Sequence, residues 1–122
     1  MPNAPAKILV VDDDPVTATL VTAILQSSAY DVKSTESGET ALDVLAVERF
    51  DLLVTDLRMP GIGGIGLIQE IATRSILQLS RILVITGEHT GSAACRTVTD
   101  LGIAMLQKPV RRSELLDAVK SM

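Results

Sequence analysis

The sequence predicts an α/β domain, a doubly wound (βα)5 fold in which helices cover both faces of a five-stranded parallel sheet. Two observations lead to this prediction. Five short runs rich in branched apolar residues alternate with five segments of helical periodicity. The strongest runs alternate little between polar and apolar residues, which is typical of strands buried on both faces. Because crossovers between parallel strands are right-handed, the helices are expected on both faces of the open sheet.

The predicted strands are short and spaced along the whole chain. In chain order they cover 7–11 (KILVV), 30–35 (YDVKST), 50–55 (FDLLVT), 81–86 (RILVIT) and 103–107 (IAMLQ), and the second is the weakest. Open parallel sheets bind ligands at the carboxyl ends of their strands. The residues that follow each run are therefore the candidates for a functional site.

Five helices are predicted in the connecting segments, the first two at 15–27 and 38–47. Asp14 before Pro15 predicts an N-cap with proline at the first helical position. Ser37 is expected to cap the second helix and Ser113 to open the fifth. Apolar residues recur in these segments at three- and four-residue steps: Val16, Leu20, Val21, Ile24 and Leu25; Ala41, Leu42, Leu45 and Ala46; Leu67, Ile68 and Ile71; Ala94, Val98 and Leu101; Leu115, Leu116 and Val119.

Length and composition indicate one domain spanning 1–122, with 1–6 as a flexible N-terminal segment. The 122 residues suit a single domain, and a hydrophobic fraction of 47% is enough for a core. An aromatic fraction of 2% and a net charge of −4 argue against direct nucleic-acid binding, which needs basic and aromatic side chains. The sequence leaves open whether the chain is complete or part of a longer protein.

Cysteine content and apolar runs favour a cytoplasmic protein. Cys95 is the single cysteine, which excludes an internal disulfide and a cysteine metal cluster. The N-terminus lacks the apolar stretch of a signal peptide, and no apolar run reaches the roughly 18 residues of a membrane helix. We therefore expect a reducing, cytoplasmic setting without membrane contact.

Carboxylates follow two of the predicted strands. Asp12, Asp13 and Asp14 come directly after the first strand, and Asp56 comes directly after the third. Taken singly, the three aspartates are explained as helix caps and Asp56 as a turn residue. At one edge of a parallel sheet they would repel one another and need a cation. Oxygen ligands without a nearby histidine or cysteine favour Mg²⁺.

A hydroxyl and an ammonium group are expected at the same edge. Thr86 ends the fourth predicted strand, and Lys108 follows the fifth. Taken singly, they are explained as a β-forming residue and a solvated surface lysine. Beside the carboxylates they can bind a phosphoryl group, and a carboxylate in that setting can act as the nucleophile. The combination favours a site of phosphoryl chemistry.

The stretch RMPGIGGIGLIQ has the G-x-G-x-x-G spacing of a dinucleotide-binding turn. Gly61, Gly63 and Gly66 form the pattern, and Glu88 lies roughly 20 residues on. In a dinucleotide fold the first glycine directly follows the first strand, whereas here the run belongs to the third βα unit. We interpret the spacing as accidental and expect the glycines to let the loop beside Asp56 move.

Four motifs, taken in their order and spacing, carry a resemblance to a known family. They are ILVVDDD at 8–14, DLLVTDLRMPG at 51–61, VITG at 84–87 and KP at 108–109. With these motifs the chain resembles the receiver domain of response regulators in two-component signalling over essentially its whole length. The resemblance implies a flavodoxin-like fold with strand order 2-1-3-4-5.

The resemblance implies a role for each strand-end residue. Asp56 would be the phospho-acceptor, Thr86 would hydrogen-bond the phosphoryl oxygen, and Lys108 would form an ion pair with it.

A Mg²⁺ ion would be the cofactor. Asp13, Asp56 and the backbone carbonyl of Arg58 would ligate it, and Asp12 would do so through water.

The implied reaction is phosphoryl transfer to Asp56 from a histidine kinase or a His-phosphotransfer protein, followed by slow hydrolysis. The chain would then be no conventional enzyme, because it promotes only its own phosphorylation and dephosphorylation. The new charge would bias a two-state element. The change in that element would control an effector protein or an output domain, or would lead to a phosphorylation-dependent homodimer.

Two departures from the family pattern bear on the switch. Met105 stands three positions before Lys108, where the family commonly has an aromatic residue. A threonine-to-aromatic coupling therefore cannot operate in its usual form. Gly63-Gly64 stands where the family often has Asp-Gly, which removes an exposed acid.

Arg58 and Glu88 follow Asp56 and Thr86 by two residues. We hypothesise that they form an ion pair at the mouth of the site, which partly covers the phosphoryl group and hinders the attacking water. The alternative is two solvated side chains that seldom meet, because exposed ion pairs contribute little.

Two other functions fit some of the residues. Asp12, Asp14 and Val16 match the D-x-D-x-V nucleophile motif of haloacid-dehalogenase-type phosphatases. That family needs a further acidic motif after the lysine, and the acids beyond Lys108 fall in a predicted helix. The second alternative is an interaction module that retains the acidic site but is not phosphorylated.

Overall fold

The structure, a computed structural model that describes residues 6–122, contains the predicted doubly wound parallel sheet. Its strands are hydrogen-bonded in the order β2-β1-β3-β4-β5, and each neighbouring pair is parallel. The fold class and strand order are therefore confirmed. Most of the flexible segment predicted at 1–6 lies outside the described residues. The strands are β1 (Lys7–Val11), β2 (Asp31–Thr35), β3 (Leu52–Thr55), β4 (Ile82–Thr86) and β5 (Ala104–Gln107).

All five predicted helices are present, and a short 3-10 helix precedes β4. Four strands begin later than predicted, β2, β4 and β5 by one residue and β3 by two. At β4 and β5 the preceding amides bond elsewhere. The Arg81 amide donates to Gln78 within the short helix, and the Ile103 amide donates to Val98 at the end of α4. The helices are α1 (Pro15–Ser27), α2 (Gly38–Val47), α3 (Gly63–Thr73), the short helix at Leu79–Arg81, α4 (Ala93–Asp100) and α5 (Arg112–Lys120).

Two of the three predicted helix starts are confirmed. Asp14 caps α1 by accepting a hydrogen bond from the Val16 amide at 3.1 Å. Ser37 caps α2 in the same way. The prediction for Ser113 is wrong, because α5 begins one residue earlier and its cap position is Arg111. The Arg111 carbonyl already accepts from the Leu115 amide, so Ser113 lies inside the first turn.

The sheet separates two hydrophobic cores. In β1, Leu9 and Val11 pack with α2, α3 and α4, whereas Ile8 and Val10 pack with α1 and α5. Each of these four side chains is almost completely buried. The side chains of a strand alternate between faces, so a continuous apolar run is what a strand covered on both faces requires, as predicted.

Helix α1 carries more apolar side chains than its core covers. Val21, Ile24 and Leu25 are buried, whereas Val16 is 75% exposed and Leu20 is 45% exposed. The periodicity therefore predicted the helix correctly, but two of its five apolar positions face solvent. Within the described part of the chain, no helix has the length and hydropathy needed to cross a membrane.

Candidate functional site

Asp56 lies at the carboxyl end of β3, where its side chain is almost fully buried. The residue is 6% exposed. Its Oδ1 accepts a hydrogen bond from the Leu57 amide at 2.7 Å, and its Oδ2 accepts one from Lys108 Nζ at 2.9 Å. A buried carboxylate needs such partners because burial disfavours its charged form. The carboxyl group is therefore held in one place at the predicted edge of the sheet.

Lys108 connects the ends of three strands. Its Nζ lies 2.9 Å from Asp56 Oδ2 and 3.2 Å from Asp12 Oδ2. Asp12 is 4% exposed. The Lys108 amide donates to the Thr86 carbonyl at 2.8 Å, which fixes the lysine backbone at the end of β5. The predicted convergence of Asp12, Asp56 and Lys108 is therefore found in the structure.

Two carboxylates share this one ammonium group, and the pKa values reflect the excess of negative charge. Burial raises the pKa of Asp12, and the charge of Asp56 adds to the rise against the opposing hydrogen bonds of the Asp14 amide and Lys108. Burial acts to lower the pKa of Lys108, but its hydrogen bonds and charge interactions with Asp56 and Asp12 together outweigh burial and raise the pKa. The site can therefore take a further cation.

Asp13 completes an acidic group that is open to solvent. Oxygen atoms of Asp12, Asp13 and Asp56 all lie within 4.8 Å of one another. Asp13 is exposed, and it lines a shallow cleft with Arg58. Three carboxylate oxygens at this spacing suit a hard divalent cation. The structure thus brings the predicted metal ligands Asp12, Asp13 and Asp56 together, and Arg58 lies beside Asp13 in the adjoining cleft.

Asp14 does not belong to the acidic group. Its carboxylate accepts from the Thr17 hydroxyl at 2.7 Å and from the Val16 amide, and these hydrogen bonds lower its pKa. The side chain is committed to the start of α1. The second aspartate of the D-x-D-x-V pattern is therefore directed at the helix rather than at the cleft.

Thr86 is fully buried at the end of β4. Its Oγ1 accepts a hydrogen bond from the Glu88 amide at 3.1 Å. β4 is the neighbour of β3 in the sheet, so Thr86 shares the edge with Asp56. A hydroxyl that accepts one hydrogen bond still has its own hydrogen to donate.

Arg58 and Glu88 form the hypothesised ion pair. Arg58 Nε donates to Glu88 Oε1. The hydrogen bond with Arg58 lowers the pKa of Glu88, and the Ser92 hydroxyl adds to that effect. The Arg58 side chain is 80% exposed. The alternative of two side chains that do not meet is therefore wrong for this structure, although solvent screens the pair.

Two features of the site were missed from the sequence. Gly64 packs so closely on β3 that a Cβ there would lie 2.1 Å from the Asp56 carbonyl oxygen. Gln107 Nε2 donates to the Glu88 carbonyl at 2.7 Å. Gly64 and Gln107 each approach a main-chain carbonyl oxygen, and every residue has one, so the sequence does not mark these contacts. The only indication in the sequence was that Gln107 stands next to Lys108.

The glycine run shapes the backbone beside Asp56. Gly61 and Gly63 have φ values of +80° and +67°, a region that side-chain-bearing residues rarely adopt. Gly61 lies in the loop between β3 and α3, whereas Gly63 and Gly66 lie at the start of α3. This position agrees with the interpretation that the dinucleotide-like spacing is accidental.

Comparison with known sequences decides the family. Residues 8–120 match the response regulator receiver domain. The chain belongs to the response-regulator receiver family. It is thus a receiver domain of two-component signalling, and the acidic group Asp12, Asp13 and Asp56 fits the phosphorylation site of that family.

Relatives of this receiver domain include both longer proteins and isolated domains. It is 35% identical to the transcriptional regulatory protein GlrR of Escherichia coli (strain K12) over 98% of its own length, and it spans 26% of that protein. A response regulator receiver protein from Pseudomonas putida superposes with a TM-score of 0.87 at 30% identity, covering 99% of this chain and 100% of the other.

A third relative has been solved with a bound metal ion. The receiver domain of the sensor histidine kinase PA1611 from Pseudomonas aeruginosa PAO1 superposes with a TM-score of 0.82 at 27% identity, covering 97% of each chain. Its structure has a magnesium ion coordinated in the active-site cleft.

The two alternative functions are not favoured. The receiver match spans nearly the whole chain, and Asp14, which the phosphatase motif needs, caps α1. The acidic group with its shared lysine also argues against a silent interaction module.

Proposed function

We propose that this receiver domain accepts a phosphoryl group onto Asp56 from the phosphohistidine of a histidine kinase or His-phosphotransfer protein. The observation that carries the proposal is the ammonium of Lys108 in hydrogen-bonding distance of two buried carboxylates. Such an arrangement holds a nucleophile and a counter-charge together before the reaction begins.

In the proposed step, an oxygen of Asp56 attacks the phosphorus atom of the donor. The new O–P bond forms as the P–N bond breaks, and the imidazole leaves after taking a proton from water. Lys108 already contacts Asp56, so its ammonium can neutralise charge on the transferred group without moving. Thr86 then donates its hydroxyl hydrogen to a phosphoryl oxygen.

Mg²⁺ is the proposed cofactor. The carboxylates of Asp12, Asp13 and Asp56 and the backbone carbonyl of Arg58 would hold it, and these are the hard oxygen ligands that this ion prefers. When bound, the ion supplies positive charge opposite the phosphoryl oxygens. The magnesium ion of the PA1611 receiver supports this proposal by similarity.

The downstream partner is proposed only by class. Residues 1–122 would form one receiver domain that controls an output domain, a separate effector or a homodimer. The chain spans about a quarter of GlrR, so an output domain in a longer protein is one of these options. Analytical ultracentrifugation with and without beryllofluoride would separate the homodimer from the other two.

The proposal predicts that Asp56→Asn abolishes labelling. With acetyl phosphate and Mg²⁺, the wild type is expected to gain one phosphoryl group per chain, measured by intact-mass spectrometry. Asp56→Asn should gain none, because an amide cannot replace the nucleophilic carboxylate. Asp43→Asn, an exposed aspartate on α2, is the matched control. Labelling of Asp56→Asn, or turnover of a generic phosphomonoester by the wild type, would reject the proposal.

The Arg58–Glu88 pair predicts a long phosphoryl lifetime. Arg58→Asn and Glu88→Ala are each expected to hydrolyse phospho-Asp56 several-fold faster, because water reaches the phosphorus atom more easily without the pair. The decay of the phosphorylated mass gives the rate. Arg74→Asn, which breaks the exposed pair with Glu70 on α3, should leave the rate unchanged. If neither of the first two variants is faster, the pair does not shield the site.

A further inference from the structure

Helix α3 begins without a side-chain cap of its own. Its cap position is Ile62, whose side chain cannot accept a hydrogen bond, and its first turn contains no acidic residue. Instead, Glu39 in the first turn of α2 reaches across to it, and its Oε2 accepts a hydrogen bond from the Ile62 amide at 3.3 Å. In a capping box, an acidic residue of the same helix makes this hydrogen bond to the cap amide. Here a neighbouring helix supplies it.

Two glycines make room for this contact. Gly61 has a φ of +80°, and a Cβ on it would lie 2.1 Å from Glu39 Oε2. A Cβ on Gly38, the first residue of α2, would lie 2.7 Å from Ile62 Cγ1. The Glu39 carboxylate therefore packs against the backbone at Gly61, and the Ile62 side chain packs on the start of α2. The hydrogen bond is thus part of a closely packed junction between α2 and the β3–α3 loop.

The loop that Glu39 holds leads to the site. It runs from Leu57 to Ile62 and contains Arg58, whose backbone carbonyl is a proposed ligand of Mg²⁺. At one end of the loop, the Leu57 carbonyl accepts a hydrogen bond from the Gly64 amide at 3.0 Å. At the other end, the Ile62 amide is bound by Glu39. Arg58 therefore lies between two points at which the loop is fixed, and Glu39 provides one of them.

We propose that Glu39 is a positioning residue for the metal site, because it holds the β3–α3 loop in the conformation that can bind Mg²⁺. This inference rests on the proposed function, and it names a residue outside the cleft on which metal binding depends. Gly61 and Gly63, both at positive φ, give this segment other conformations to adopt. The apparent affinity of a site is reduced to the fraction of molecules in the competent conformation. A carboxylate that stabilises this conformation therefore raises the affinity for Mg²⁺ without touching the ion.

Magnesium titrations of the whole chain, followed by amide NMR, test the inference. In Glu39→Ala we expect the Mg²⁺ dissociation constant, read from the Asp13 and Leu57 amides, to rise about fivefold, the effect of losing one helix-capping hydrogen bond. Hydrogen exchange of the Ile62 amide in the metal-free protein should become faster. Asp43→Ala removes an exposed carboxylate from the same helix, and it should bind Mg²⁺ like the wild type.

Glu39→Gln separates the hydrogen bond from the charge. Its side-chain amide keeps an oxygen that can accept from the Ile62 amide, so this variant should recover most of the affinity for Mg²⁺. Labelling by acetyl phosphate gives a second readout. In Glu39→Ala the labelling rate should fall at low Mg²⁺ and return to the wild-type rate at saturating Mg²⁺, because Glu39 takes no part in the chemical step.

Each outcome separates the inference from the proposed function. An unchanged Mg²⁺ dissociation constant in Glu39→Ala would overturn the positioning role while leaving the proposed function intact. An equal rise in Asp43→Ala, or a rise that Glu39→Gln does not reverse, would also overturn it, because the charge of α2 would then act on the ion directly. So would a labelling rate that stays low at saturating Mg²⁺. If the wild type binds no Mg²⁺ and is not labelled, the proposed function fails and the inference fails with it.

Discussion

Lys108→Met is expected to lower the free energy of unfolding of the metal-free protein by about 2–3 kcal/mol. Lys108 is the ammonium group that Asp12 and Asp56 share, and these residues are only 4% and 6% exposed. Methionine fills similar space but leaves two buried carboxylates facing each other. This loss of unfolding free energy is small for the breaking of a buried ion pair because the lysine side chain is 23% exposed and solvent screens its charge. Urea unfolding in the presence of a chelator measures the effect.

Two further measurements identify the cause. Saturating Mg²⁺ should recover more stability in Lys108→Met than in the wild type, because the ion replaces the missing positive charge between the carboxylates. Lowering the pH should also reduce the difference in unfolding free energy between Lys108→Met and the wild type. Burial already raises the pKa of Asp12 above its ordinary value of 3.8. A carboxyl group whose pKa is raised in the folded state destabilises the fold above that pKa, and protonation removes the penalty.

Lys33→Met provides the control for this experiment. Lys33 also binds a carboxylate, Glu48, but at an exposed position far from the site. Its replacement should leave the unfolding free energy nearly unchanged and insensitive to Mg²⁺. Equal losses in the two variants would mean that the shared ammonium contributes no more than an ordinary surface pair.

The architecture was predictable because each level of the sequence agrees with the others. Asp14 and Pro15 mark the start of α1 by cap chemistry, and the apolar runs mark the strands by burial on both faces. The convergence of Asp12, Asp56 and Lys108 then followed from a geometric rule, that parallel strands end at the same edge. No knowledge of side-chain conformation was needed for this part of the site.

The features that the sequence did not predict depend on where the edge of the core lies and on which side chains reach a main-chain carbonyl group. The helix periodicity of α1 could not show that Val16 and Leu20 lie beyond the edge of the core. The links from Gln107 and Cys95 to Glu88 end on a carbonyl group, which every residue has. The Arg58–Glu88 pair was within reach because both partners are charged and each stands two residues past a strand-end site residue.

Gly64→Ala is expected to destabilise the protein by about 2–3 kcal/mol and to impair phosphorylation of Asp56. A Cβ at this position would lie 2.1 Å from the Asp56 carbonyl oxygen and 2.7 Å from Leu57 Cα. Both atoms belong to the backbone, so no flexible side chain can move aside. The gain of about 1 kcal/mol in helix propensity from Gly to Ala cannot compensate for this clash. Urea unfolding and acetyl phosphate labelling measure the two effects.

Gly91→Ala distinguishes a clash from a general effect of adding a methyl group. A Cβ at Gly91 would meet only the His89 side chain, at ordinary contact distance, so this variant should fold and be labelled like the wild type. Gly64→Ala must push α3 away from β3, or displace the Asp56 backbone that positions the carboxylate. If it unfolds and labels like Gly91→Ala, α3 does not hold the phospho-acceptor in place. If Gly64→Ala shows the expected losses, the site requires Gly64, which is not part of the dinucleotide-like pattern. The reason is that the receiver domain needs close packing of a helix on its phospho-acceptor strand.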